Sequence, residues 1–188
     1  MQVMTIASGV LSRKLDRIFR FLDADGDGEL RPEDVTVLAA RLAGAFDAPG
    51  DRPKIDALER ALAEIVRTDV MPMDADGNGG VDIREFGAGF RHAIDNGPEA
   101  MLSRFDVMVD AWMNLADSNG DGVIDQAEFT RMYTMTLGVP ADDLAIAFAK
   151  LDRDGNGTLD REEIRTATRE YYTSDDPAAP GNWLFGPM

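Results

Sequence analysis

The sequence contains no cysteine, so neither a disulfide nor a thiolate metal site can be built from it, and a reducing compartment suits it. It has a single histidine, His92, which we place solvated on a helix. One histidine and no thiol leave no nucleophile dyad and no zinc cluster, so no enzyme is expected. Basic residues are scarce as well: 19 lysines and arginines face 35 aspartates and glutamates, for a net charge of -16. A field of that sign disfavours nucleic acid and anionic membrane surfaces and favours cations or basic partners. No run approaches the roughly 20 apolar residues of a membrane helix. The opening MQVMTIASGVLSRK sets its basic residues after a short apolar stretch, the wrong order for a secretory signal. We therefore expect a soluble, cytoplasmic monomer with no nucleic-acid or membrane partner.

What is present is a fourfold pattern. At 44% hydrophobic residues, the 188-residue chain has core material for one domain or two small ones. Its acids gather in 12-residue stretches that begin at 23, 74, 117 and 152, a repeat with uneven insertions. The stretch 152–163 reads DRDGNGTLDREE. Asp152, Asp154 and Asn156 supply oxygens at places one, three and five. Thr158 supplies a carbonyl at place seven, Asp160 an oxygen at nine, and Glu163 a carboxylate at twelve. A hard cation such as calcium takes about 6 to 8 oxygens at roughly 2.3 to 2.6 Å, so a short loop must fold its own carboxylates inward. Gly157, sixth, permits that turn. The stretch 74–85 repeats the schedule with Asp74, Asp76, Asn78, Gly80, Asp82 and Glu85. The stretch 117–128 does so with Asp117, Asn119, Asp121, Val123, Asp125 and Glu128. The first, 23–34, offers Asp23, Asp25, Asp27, Glu29 and Asp34, with two departures. Arg31 stands at place nine, and Asp34 at twelve is one methylene short for easy bidentate reach. A smaller cavity favours magnesium, which demands near-octahedral geometry. Three to four calcium sites follow, with magnesium possible in the first loop especially.

Amphipathic helices flank every loop. One is expected over 8–22, with Leu11, Leu15, Ile18, Phe19 and Leu22 on one face. After the first loop, Val35, Leu38, Leu42 and Phe46 face inward. Residues 47–53 are rich in breakers. Leu58, Leu62, Ile65, Val66 and Val70 then form a stripe whose end Pro72 should distort. A helix over 83–95 stops at Asn96-Gly97-Pro98. The next, 99–116, is expected to bury Phe105, Met108, Val109, Trp112 and Met113. Phe129, Met132 and Tyr133 lie on a helix ending at Gly138; Leu144, Phe148 and Leu151 lie on a short one beginning near Pro140. Ile164 and Tyr171 lie on the last. The apolar eighth residues should pair, Leu159 with Ile124 and Val81 with Leu30. Aspartate at nine with glutamate at twelve makes a capping box before the exiting helix, which Arg31 breaks in the first loop. The methionines suit core packing better than an adaptable groove. Trp183, Leu184 and Phe185 are expected to dock in an apolar cleft, because leaving them in water forfeits several kcal/mol.

The four loops, the long gap between the first two, the turn at Asn96 to Pro98 and the tail together resemble the sarcoplasmic calcium-binding protein and calerythrin family. The resemblance implies an all-α fold of four EF-hands in two pairs, compactly arranged, and a calcium and magnesium buffering role. One degenerate loop is common in the family, usually the second; here the first is irregular. The expected organisation is an N-terminal pair over 1–97, a C-terminal pair over 98–173 and a tail over 174–188. A calcium sensor that opens a methionine-rich groove to a target helix is an alternative. Another is a carrier of an apolar small molecule of the luciferin-binding type.

Overall fold

The computed structural model describes residues 9–46, 48 and 50–187. The opening segment and the first residue of the expected 8–22 helix lie outside them. The architecture is all-α as expected, with eight helices and four two-residue strands among the described residues. Helix α1 (Val10–Leu22) buries Leu11, Leu15, Ile18 and Phe19 along one face. It leads through the first loop and strand β1 (Glu29–Leu30) to α2 (Pro32–Ala45). Pro32 opens α2, where a missing N–H costs nothing. Helix α3 (Asp51–Ile65) takes in the last residues of the breaker-rich 47–53 stretch. The amide of Ala48 donates to Asp51 Oδ2 at 3.1 Å, which fixes that start; residues 47 and 49 lie outside the described set.

Pro72 has the expected effect. Past Ile65 the backbone widens into a π turn (Val66–Val70) and tightens into a 3-10 turn (Met71–Met73), because proline offers no amide to the regular ladder. Strand β2 (Val81–Asp82), α4 (Ile83–Asp95), α5 (Glu99–Ala116), β3 (Ile124–Asp125), α6 (Gln126–Leu137), α7 (Ala141–Leu151), β4 (Thr158–Leu159) and α8 (Arg161–Thr173) follow. The turn at Asn96 to Pro98 separates α4 from α5, with Gly97 at φ 98°.

The strands couple the loops in twos. Leu30 pairs with Val81 and Ile124 with Leu159, both antiparallel. These four side chains are almost wholly buried, so each bridge is also a core contact. The two halves share one core: α3 runs against α5, α2 against α6, and α1 against both α4 and α8. Phe90 stacks on Tyr172 at a centroid distance of 5.7 Å, and Phe105 packs against it tilted at 4.5 Å. Met101, Met113 and Met132 are buried, as the core reading of the methionines anticipates, while Met135 lies exposed.

Five expected core residues are only half-buried: Leu22, Leu38, Leu62, Met108 and Trp112. They line an apolar cavity of about 140 Å³ between the halves, with Phe21, Tyr133, Tyr172 and Phe185 among its other walls. Tyr133 and Tyr172 are nearly fully buried, and burial pushes both phenols well above their ordinary pKa.

The tail closes this region. Leu184 enters the core and Phe185 sits 4.9 Å from Tyr171 and 5.9 Å from Tyr133, centroid to centroid. Helix α1 holds it there. Lys14 is fully buried, and its ammonium donates to the carbonyls of Glu170 (2.9 Å) and Ser174 (2.7 Å) and to Asn182 Oδ1 (3.0 Å). The Arg17 guanidinium donates to the carbonyls of Phe185, Gly186 and Pro187. Gly181 lets the tail lie on α8: a Cβ there would stand 2.5 Å from the Ala167 carbonyl oxygen. Gly181→Ala is accordingly expected to destabilise the fold by about 1 to 3 kcal/mol, the cost of overpacking. Urea unfolding checks this, and an unchanged midpoint would mean the tail does not rest on α8.

Candidate metal centres

Each loop is rolled up by its own side chains. The carboxylate at place one accepts two amides, from places four and six. Asp152 accepts from Gly155 (2.8 Å) and Gly157 (2.9 Å), and Asp74 from Gly77 (2.8 Å) and Gly79 (3.0 Å). Asp117 and Asp23 repeat this with Gly120 and Gly122, and with Gly26 and Gly28. Gly155 and Gly157 lie at φ 71° and 83°, in the left-handed region that a Cβ resists. The sixth-place glycine was evident from the ligand schedule. The fourth-place glycine was missed there, although Asp-Gly and Asn-Gly at places three and four recur in all four loops.

Places three and five turn inward by the same device two residues apart. Asp25, Asp76, Asn119 and Asp154 accept the fifth-place amide, at 2.8 to 3.1 Å. Asp27, Asn78, Asp121 and Asn156 accept the amides of Glu29, Gly80, Val123 and Thr158, at 2.7 to 3.0 Å. At place nine, Asp82, Asp125 and Asp160 cap the exiting helix by accepting the amides of Glu85, Glu128 and Glu163 at 2.8 to 2.9 Å. The glutamates reach back to the ninth-place amide, completing the boxes. Each also accepts the second-place amide, from Ala75, Ser118 and Arg153, at 2.8 to 2.9 Å. The twelfth side chain is thus pinned to both ends of its loop. Asp82 carries a further load: against the cost of its burial, the amides of Glu85 and Arg84 and the Arg84 guanidinium hold its carboxyl below the usual range.

The donors converge as a hard cation requires. In the second loop Asp74, Asp76 and Glu85 each bring an oxygen within 4.8 Å of the others, and in the fourth Asp152, Asp154 and Glu163 do the same. One ion at about 2.3 to 2.6 Å from each oxygen spans that separation. In the third loop the amide Asn119 takes the place that Asp76 and Asp154 hold, beside Asp117 and a buried Glu128.

The first loop differs. Its carboxylate cluster is Asp23, Asp25 and Asp27, with Asp34 outside it. The shorter Asp34 is buried, with Oδ1 on the amide of Ala24 (2.8 Å) and Oδ2 on that of Arg31 (2.8 Å). The capping box is therefore not lost outright, as the sequence suggested. Asp34 keeps its half, while the Arg31 guanidinium, which has only donors, cannot supply the other. Arg31 instead pairs with Asp27 (2.6 Å) and Glu29. His92 is exposed on α4, far in character from any ligand set.

Comparison with known proteins follows the same lines. The EF-hand domain pair family matches residues 105–136 and 120–171, and the EF hand family matches 15–34. Calerythrin of Saccharopolyspora erythraea is 28% identical over 169 residues, covering 89% of this chain and 92% of its own. A probable calcium-binding protein of rice (Oryza sativa subsp. japonica), CML17, is 31% identical over 166 residues, covering 83% and 91%. The solved sarcoplasmic calcium-binding protein from amphioxus superposes with a TM-score of 0.73 at 20% identity, over 95% of this chain and 97% of that one.

Proposed function

Because the chain belongs to the EF-hand calcium-binding proteins of the calerythrin and sarcoplasmic type, we propose that it is a non-enzymatic, cytoplasmic buffer or carrier of calcium and magnesium. No described helix is long and apolar enough to cross a membrane. The ions would be held by the side chains at places one, three, five, nine and twelve and the carbonyl at seven. The second, third and fourth loops take calcium, and the first prefers the smaller ion. A bound divalent ion supplies charge neutralisation: four would bring the net charge from -16 to -8.

One observation carries the preference for a buffer over a sensor. The apolar cleft that a sensor offers to a target helix is filled from within by Leu184 and Phe185, and Lys14 and Arg17 hold that segment down. Fluorescence of a hydrophobic dye, in calcium and in chelator, tests this. The full chain is expected to bind little dye in calcium, and a chain ending at 179 to bind several-fold more. A large calcium-dependent rise in the full chain would replace the buffer with a sensor.

A second reading is favoured by the cavity. It is close to the roughly 150 Å³ that holds benzene in a protein core. Tyr133 and Tyr172 line it, and their phenol rings form part of its wall. A small apolar molecule with one acceptor oxygen suits such a site, and quenching of tryptophan fluorescence by acetophenone would report it through Trp112.

A further inference from the structure

We propose that Arg31 is the specificity-determining residue of the first loop: its guanidinium is a resident counter-cation that holds this loop's affinity for divalent ions below that of the other three. The inference rests on the calcium-binding reading above. Arg31 occupies the place that the other loops give to Asp82, Asp125 and Asp160. Its Nη1 donates to Asp27 Oδ2 at 2.6 Å, and its Nη2 pairs with Glu29. Asp27 Oδ1 already accepts the Glu29 amide at 2.9 Å. Both oxygens of this fifth-place donor are therefore engaged. At the equivalent place in the other loops, Asn78, Asp121 and Asn156 face the seventh-place amide with no guanidinium on them. An ion entering the first loop meets a fixed positive charge and must share Asp27 with it.

The counter-cation also has a built seat. A Cβ on Gly80 would run into the Glu29 carboxylate and stand 3.2 Å from the guanidinium carbon of Arg31. Gly80 is not among the residues in the left-handed region, so it is glycine for room and not for backbone angle. It is the seventh residue of the second loop. The ion pair of one loop thus lies on a donor residue of its partner, across the bridge that pairs Glu29 with Asp82.

The test is a calcium chloride titration followed by amide NMR. Gly28, Gly79, Gly122 and Gly157 each donate to the first carboxylate of their loop, so each reports its own site. In the wild type, Gly28 is expected to respond at higher calcium than the other three. Arg31→Gln should lower the Gly28 midpoint by about fivefold or more, the scale of one partly screened charge contact. Gly80→Ala, which leaves Arg31 in place but forces the pair off its seat, should move Gly28 in the same direction. A Gly28 midpoint that is unmoved or raised in both variants overturns the proposal, as does a Gly28 that stops responding in Arg31→Gln while Gly80→Ala leaves it unchanged. If Gly79, Gly122 and Gly157 themselves fail to respond in the wild type, the calcium-binding reading falls instead.

Discussion

Stripping calcium with a chelator is expected to lower the melting temperature by tens of degrees and to erase most of the near-ultraviolet circular dichroism. Anything that binds only the native state adds about 4 kcal/mol per site at a thousandfold excess over its dissociation constant. Three such sites together are worth more than the whole stability of many domains. For a chain of this size, each kcal/mol moves the midpoint by about 2 to 4 °C. The bound ions act where the chain's own charges oppose folding: Asp74, Asp76 and Glu85 are crowded within 4.8 Å, as are Asp152, Asp154 and Glu163. Without the ion these clusters repel, and the β1–β2 and β3–β4 bridges that hang from the loops loosen with them. Superimposable melts and spectra in calcium and chelator would rule this out.

Lys14→Ala is expected to cost about 3 to 5 kcal/mol, because it strips the donor from three acceptors, the buried Asn182 side chain among them, and leaves a cavity. Burial is the main cause that brings the Lys14 pKa down to about 8, against the charges of Asp175 and Glu170 that push it up. The unfolded chain keeps its proton to about 10.4. Between these values the unfolded state binds more protons than the native one, so this group's contribution to stability rises with pH, by at most about 1.4 kcal/mol per unit. Below pH 8 the charged ammonium is buried at a cost that its three acceptors offset. Stability curves for the wild type and for Lys14→Met at pH 7 and pH 10 should therefore diverge in favour of the wild type. Parallel curves would mean that Lys14 is solvated and does not clamp the tail.

Much of this molecule is legible in the sequence because its chemistry is local. Each metal loop is closed by hydrogen bonds two to ten residues apart, so the ligand schedule, the eighth-place bridge residues and three of the capping boxes can be read directly. The break at Asn96 to Pro98 and the distortion at Pro72 are likewise backbone effects of single residues. What the sequence hid depends on distant segments. Leu38, Leu62, Met108 and Trp112 have the helical phase of core residues, but they face a cavity that exists only when the halves meet. Lys14 sits on the apolar side of α1 and looks like a solvated charge until the tail brings it acceptors. Arg31 was readable as a departure, but its pairing with Asp27 and its seat on Gly80 required the second loop to be in view.

Lys14 also fixes an order of events. Its acceptors lie 156 to 168 residues further along the chain, so α1 is made well before the groups that satisfy its ammonium. The strap cannot close until α8 and the segment after it have been made, and α1 carries the first loop into place. The first loop, although it is made first, is then the last to mature.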